Sequence, residues 1–481
     1  MDTAGVALYQ SLHDEHDYVV DEYEGDLPDD LRGTLYRNGP GKVTGSQETP
    51  GHLLDGDGMV SMFSIADGRL SFRNRYVRTR HYRQSLVAKG SLGRGFSAMQ
   101  AGGILANVLR PPANVANTGV VMHAGNLLAL WEGGRPTKID PDTLATIGKY
   151  DFDGDLSWFG TFSAHPKKDP QTGEMLSFGM EIFPTPAMVC HGIDGRGKLR
   201  RLGRLGMHRP RFNHDFAITP GFLVFAIPPL VMPTHKLVSA GLGLTSYIDA
   251  IEYDSTAETL IVLVPRYGGK TRVYLTDPML HMHISNAHED GSDVVVDLVT
   301  YQLSWQQLNE QFSLCGTRLF DPTVPFGGSV RRLRIGKSGR VAHDQLGDAL
   351  GEFPTCNPQW VGQQNRFTYL AAATAGSPYP NLVVKIDSVA ATEVSHLLPP
   401  GHLAHEAIFA PRPGGTEEDD GWLLVVTQDL DTDVGNLIVL DAKNLAAEPI
   451  YVGRLRHHMP LTFHGCFTPR VARACDRPEP R

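Results

Sequence analysis

The stretch Arg211-Phe212-Asn213-His214-Asp215-Phe216-Ala217-Ile218-Thr219-Pro220 puts an imidazole and a carboxyl inside an apolar, strand-like run. Polar atoms in such a place need partners, and the histidine reads either as a satisfied core group or as a metal ligand. Three further histidines sit in similar mixed apolar settings. They are His165 in Phe162-Ser163-Ala164-His165-Pro166, His283 in Met282-His283-Ile284-Ser285-Asn286-Ala287 and His464 in Leu461-Thr462-Phe463-His464-Gly465. Successive members lie 49, 69 and 181 residues apart, so no short loop motif joins them. Only a fold that repeats brings four such positions together.

Outward from that stretch, short β-rich runs recur between Gly, Pro, Asp and Asn. Examples are Leu127–Trp131, Phe222–Ile227, Thr259–Val264, Phe367–Ala372 and Leu437–Leu440, with turn signals such as Gly268-Gly269 and Gly414-Gly415 between runs of this kind. Helical periodicity is scarce. Punctuated strands over most of the chain suit an all-β propeller better than a sandwich, although no clean repeat gives the blade number. The exception is Leu86 to Gly119, where Leu92, Phe96, Met99, Ile104, Leu105 and Val108 lie among Lys89, Arg94 and Arg110. That segment reads equally as an amphipathic helix dipping into a membrane or as a lid packed on the barrel. Residues 467–481 read as a flexible tail.

The 481 residues carry a formal net charge of −9 and no clustered basic surface, which argues against a nucleic-acid partner. Five widely spaced cysteines, Cys190, Cys315, Cys356, Cys466 and Cys475, form no Cys-x-x-Cys pair and read as reduced thiols. The start of the chain has neither the basic residues nor the apolar segment of a secretion signal, and no apolar stretch is long enough for a spanning helix. A cytoplasmic protein is expected, and no obligate protein partner is evident.

Imidazoles suit zinc, copper, iron or nickel. Neutral rings leave the charge of the ion uncompensated, so acids are expected just outside, each accepting the other ring N–H of a ligand. Glu132 in Leu130-Trp131-Glu132-Gly133, Glu352 in Gly351-Glu352-Phe353-Pro354 and Glu406 in His405-Glu406-Ala407 interrupt apolar, strand-like surroundings and are candidates. His281-Met282-His283 followed by Glu289 imitates a cupin motif, but the acid lies too far along. His457-His458 reads as a surface or sheet-edge pair, and His288-Glu289 and His402…His405 as polar groups of the layer behind the ligands rather than as ligands. No Gly-x-Ser-x-Gly elbow or phosphate-cradling loop is present.

Several of these motifs together resemble the carotenoid cleavage oxygenases, over about residues 18–466. The resemblance rests on Leu35-Tyr36-Arg37-Asn38-Gly39-Pro40, Asp55-Gly56-Asp57-Gly58-Met59-Val60, Ser163-Ala164-His165-Pro166, His214-Asp215-Phe216-Ala217, His283 with Asn286-Ala287, and Glu352-Phe353-Pro354. Ala129-Leu130-Trp131-Glu132-Gly133-Gly134 and Glu417-Glu418-Asp419-Asp420-Gly421-Trp422 point to the bacterial apocarotenoid oxygenases within that family. The resemblance implies a single-domain, seven-bladed propeller with a helical dome over one face. It implies one Fe(II) on the axis, held by His165, His214, His283 and His464. Glu132, Glu352 and Glu406 would stand behind His214, His283 and His464 respectively, leaving His165 without an acid. Two positions depart from the family pattern: His288 replaces an aromatic residue, and His405-Glu406-Ala407 stands where the family has Gly-Glu-Pro.

The implied reaction is cleavage of a conjugated C=C bond with O₂ as cosubstrate, giving two carbonyl products. No reducing cosubstrate is needed, because the alkene supplies the electrons. Register of the polyene in a tunnel then selects the bond. Trp131, Phe96, Ile104, Leu230 and Met232 are candidates for the tunnel wall, and Val231, Leu242 and Leu244 for the tunnel or dome. Ordinary core packing is an equal reading of each. A stilbene-cleaving relative would place a lysine near the first acid; Trp131 stands before Glu132, and Lys138 lies a little further on. The alternative of another class is a propeller that binds lipid or carotenoid without catalysis.

Overall fold

A computed structural model describes residues 10–43, 52–87, 93–158, 160–181, 185–207, 209–311, 324–377 and 379–473. The alternation of apolar runs with turn residues becomes a series of antiparallel meanders. Phe222–Ile227 and Phe367–Ala372 are strands over the expected residues, and Thr259–Pro265 and Val434–Asp441 extend their runs slightly. Among the described residues the strands make six sheets of four to seven strands and one two-stranded ribbon, Leu230–Val231 with Glu252–Tyr253.

The ends of the chain interlock. Gly465–Thr468 pairs with Gly33–Lys42 and completes the first large sheet, while Glu22–Gly25 pairs with Tyr451–Arg454 and completes the last. Such an exchange closes a ring of sheets and leaves only short, protected edges, the arrangement of a β-propeller. Neighbouring sheets pack through their apolar faces. Leu35, Phe63 and Phe72 of the first sheet meet Trp422, Leu424 and Leu437 of the last in one buried cluster. Phe178 and Met188 meet Phe216 and Phe225 in the same way between two other neighbouring sheets.

The segment 86–119 is not one helix. Arg80–Val87 and Gly103–Asn107 are short helices, and Gly119 already opens the strand Gly119–His123. The physical reason is Arg94, which is buried and donates to the carbonyls of Asn107 and Arg110 and to that of Thr245, pinning a folded loop where a helix axis would run. Asp55 adds to this by accepting the N–H groups of Phe96, Ser97 and Ala98. Residues 88–92, including Lys89 and Leu92, lie outside the described residues.

Residues 467–473 of the expected tail are held in the fold. Phe467 and Thr468 are in the closing strand, and Thr34 Oγ1 bonds the Arg470 carbonyl at 2.7 Å and the Ala472 N–H at 2.9 Å. Arg470 also pairs with Asp142 at 2.7 Å. Backbone hydrogen bonds and an ion pair therefore hold a stretch whose composition alone reads as loose; residues 474–481 lie outside the described residues. No helix among the described residues is long and apolar enough to cross a membrane. Cys190, Cys356 and Cys466 are free thiols, each pushed up to about 12 by burial, while Cys315 and Cys475 lie outside the described residues.

Candidate metal centre

Four edge strands deliver the histidines. His165 and His214 stand just before the edge strands Lys167–Lys168 and Ala217–Ile218, His464 just before Gly465–Thr468, and His283 within Leu280–Asp290. The register breaks on both sides of Ile284, and such bulges re-aim a side chain that regular alternation would send elsewhere. The same device recurs at Glu352, between Glu352 and Thr355, and at His405-Glu406, between Ala404 and Ala407.

The four imidazoles converge. One ligand-type nitrogen from each of His165, His214, His283 and His464 lies within 4.8 Å of all the others. His165 Nε2 and His214 Nε2 are 2.8 Å apart, and the rings of His165 and His464 have centroids 4.3 Å apart. Three rings are held from behind by carboxylates. His214 Nδ1 is 3.1 Å from Glu132 Oε1, His283 Nδ1 is 2.6 Å from Glu352 Oε2, and His464 Nδ1 is 2.9 Å from Glu406 Oε1. A carboxylate accepts, so each Nδ1 carries the proton and each Nε2 presents a lone pair. No carboxylate bonds the His165 ring among the described residues.

The acids are themselves secured. Glu352 accepts the Tyr301 hydroxyl and the Phe353 N–H at 2.6 Å. Glu406 pairs with the buried Arg37 guanidinium and accepts the Gly465 N–H at 3.0 Å. Asp215, beside His214, accepts the Ile284 N–H at 2.9 Å and pairs with Lys167 at 2.9 Å, tying the segments of two histidines together.

Electrostatics follow from this arrangement. Burial lowers His165 well below the ordinary imidazole range, and the His464, His214 and His283 rings push it the same way. Burial also opposes charge on His214, but Glu132 and the neighbouring acids outweigh it and raise the group. His464 is brought down to about 4 by burial, against the pull of Glu406. Burial works against the carboxylates of Glu352 and Glu406, yet His283 and, for Glu406, His464 with Arg37 keep both below the usual range.

This donor set fits a metal ion. His283 Nε2 is buried with no hydrogen-bond partner, and the close His165–His214 pair brings two nitrogens together where a cation is the natural third party. Metal–imidazole bonds of about 2.1 Å let opposite ligands stand about 4.2 Å apart, so the observed set needs to close only slightly. Three carboxylates, one of them paired with the Arg37 cation, leave two negative charges to balance a dication behind four neutral rings.

The centre opens onto an apolar cavity, walled by Phe96, Phe212, Met282, Trp305, Leu308 and Phe353 among others. Phe353 has φ of 55°, a left-handed conformation costly for an aromatic residue, and its ring lies 5.4 Å from both His283 and His464. Strain is thus kept where one ring must cover two ligands.

The sequence profile of the retinal pigment epithelial membrane protein (RPE65) family matches residues 9–469. The chain belongs to this family, the carotenoid oxygenases. It is similar to the apocarotenoid-15,15'-oxygenase of a Synechocystis species, at 35% identity over 95% of this chain and 94% of that one. It is also similar to an isoeugenol monooxygenase of Pseudomonas nitroreducens, at 29% identity over 93% and 94%. A crystal structure of the cobalt-substituted Synechocystis enzyme superposes with a TM-score of 0.89 at 33% identity, covering 97% of this chain and 98% of that one.

In this carotenoid oxygenase, the seven polar residues singled out from sequence all meet at one centre, but the apolar assignments fare differently. Phe96 lines the cavity. Leu230 lies one layer behind it, packed with Ile251, Leu280 and Leu308, and Met232 packs against the same cluster. Ile104, Leu242 and Leu244 are exposed on the surface, and Trp131 is buried beside Glu132 without joining the wall. Val231 is in the two-stranded ribbon, also off the wall. Apolar type alone does not tell a wall from the layer behind it.

Of the decoy histidines, His281 and His457 are structural, whereas His405 lines the cavity. His281 bonds the Ala226 carbonyl, and Glu289 accepts from Thr219 Oγ1 at 2.7 Å and from the Gly221 N–H at 2.8 Å. His457 stacks on His16 with centroids 4.0 Å apart. Lys138 turns its ammonium over the Tyr150 ring, 5.4 Å from its centroid, and takes no part in the cavity wall. Arg37, Tyr301 and Phe353 were not assigned roles from sequence. Arg37 carries the signal that identified the histidines, a charged group inside the buried strand Gly33–Lys42; Tyr301 and Phe353 carry none.

Proposed function

We propose that this protein is a non-haem Fe(II) dioxygenase that cleaves one conjugated C=C bond of an apocarotenoid with O₂, giving two carbonyl products of the retinal type. In this reading His165, His214, His283 and His464 hold one iron per chain, and the seven-stranded sheet counts as two blades of a seven-bladed, single-domain propeller with the ion on its axis. The observation that carries the reading is the four-imidazole, three-carboxylate centre at the floor of an apolar cavity. The 35% identity to an apocarotenoid-15,15'-oxygenase supports the substrate class.

Iron bound there would supply a redox-active centre with open positions for O₂. The chain's own residues do the rest. Glu132, Glu352 and Glu406 keep three Nδ1–H groups engaged and so hold the Nε2 lone pairs inward. Phe96, Phe212 and Phe353 exclude water and align a flat polyene. The absence of Lys138 from the wall weighs against a phenolic stilbene as the substrate.

Anaerobic loading with Fe(II), followed by O₂ and an apocarotenal, is expected to give two carbonyl compounds by mass spectrometry. Recovery of the intact polyene from iron-loaded protein would overturn the reading and favour a non-catalytic carrier. The exposed Leu105, Leu109, Val87 and Leu244 support a second element of the proposal, peripheral docking of a cytoplasmic protein on lipid through the dome. Flotation with phosphatidylcholine vesicles is expected to carry the protein upward, and Leu105→Asp with Leu109→Asp to abolish this.

A further inference from the structure

His405 is a departure from the family pattern that lands on the cavity wall, between Ala404 and the buttressing Glu406. It is 1% exposed, and its Nε2 is buried with no hydrogen-bond partner. An orphaned polar atom costs about 1 to 3 kcal/mol, so its retention in an apolar wall calls for an explanation.

The protonation of this ring can be worked out from its neighbours. Arg37 Nε and Nη2 both donate to Thr462 Oγ1, at 3.2 and 3.0 Å, which fills the lone pairs of that hydroxyl. Its own hydrogen then goes to His405 Nδ1, 2.7 Å away. The Thr462 backbone N–H, 3.1 Å from the same nitrogen, also donates to it. Nδ1 is therefore an acceptor twice over and carries no proton. Burial, reinforced by the Arg37 cation, brings the ring down to about 3, so it is neutral and its one proton is on Nε2. The wall thus contains a fixed N–H donor without an acceptor.

We infer that His405 Nε2–H donates to an oxygen of the substrate, so that this cavity selects polyenes bearing a carbonyl or hydroxyl over hydrocarbon polyenes of the same length. The inference rests on the polyene-cleaving reading of the same cavity and adds a specificity residue to it. A donor with no competing partner discriminates against a ligand that cannot accept, because the unpaired group stays buried.

The test is equilibrium binding to the iron-loaded protein without O₂, followed by quenching of tryptophan fluorescence, to which Trp305 on the wall contributes. Three polyenes of equal length are compared, ending in an aldehyde, an alcohol or a methyl group. Wild-type protein is expected to bind the aldehyde and the alcohol about tenfold more tightly than the hydrocarbon. His405→Phe is expected to bring that ratio to about one, and His405→Gln, which keeps an amide N–H, to restore part of it. Equal wild-type binding of all three, or a ratio that survives in His405→Phe, would overturn the inference. So would tight binding of the alcohol alone, because an aldehyde can only accept and an acceptor nitrogen would reject it. Should His405→Phe fail to fold, the wild-type ratio and His405→Gln still decide. A clear preference without cleavage on admitting O₂ would leave His405 in its role and remove the dioxygenase reading instead.

Discussion

The floor of the cavity and its wall are built on opposite principles. On the floor, every member except His165 is fixed by a second polar group: Glu132 on His214, Glu352 on His283, Glu406 on His464, then Tyr301 and Arg37 on the acids. Along the wall, the side chains of Phe96, Phe212 and Trp305 make only loose ring contacts among the described residues, and Leu230 behind them is ordinary packing. Directional bonds fix atoms to within tenths of an ångström, whereas apolar contacts fix volume. A reaction that needs one bond placed over one ion, in a substrate that is otherwise greasy, uses both.

The largest separation of the two regions is expected from His283→Ala, which should remove iron, by elemental analysis, together with cleavage. Retention of iron-dependent turnover would show that the floor does not depend on this ring. Glu406→Gln keeps the shape but weakens the acceptor and is expected to lower metal affinity or activity by about 10 to 100-fold. Wild-type iron content and kinetics would remove Glu406 from the buttress. Leu230→Ala should act in the other manner, costing roughly 2 to 5 kcal/mol of stability in a thermal or denaturant melt while leaving iron content unchanged.

The smallest effect is expected from pH. Burial brings His52 and His191 down to about 4 in the folded chain, from 6.5. Between those values the unfolded chain takes up protons that the folded one refuses, so their contribution is complete above pH 6.5 and is lost as pH falls towards 4. The melting temperature should therefore drop between pH 7.5 and pH 5; a rise over that range would mean that raised groups such as His214 dominate.

The same contrast governs what could be read from sequence. A histidine or glutamate inside an apolar strand run is conspicuous, because its burial is costly unless something answers it, and that is why His214, Glu352 and their companions stand out although they are scattered from Glu132 to His464. Leu230, Met232 and Ile104 gave no comparable signal, since a leucine is at home in a wall, behind it or on a dome. Of the two readings of the segment after Leu86, the structure contradicts only the single helix, for a related reason. Its apolar spacing suited a helix, and the buried Arg94 that folds it into a loop resembled any surface charge. Residues 467–473 likewise read as part of a tail because the bonds that anchor Arg470 and Ala472 reach back to Thr34, far away along the chain.

Arg37 sends one arm to Glu406, behind a ligand, and two nitrogens to Thr462, which sets the proton on His405. Reactivity and choice of substrate therefore share a single guanidinium. Anyone redesigning this enzyme for a new polyene would do well to leave that cation untouched and reshape Leu403 or Ala404 instead, which face the same space without being wired to the histidine centre.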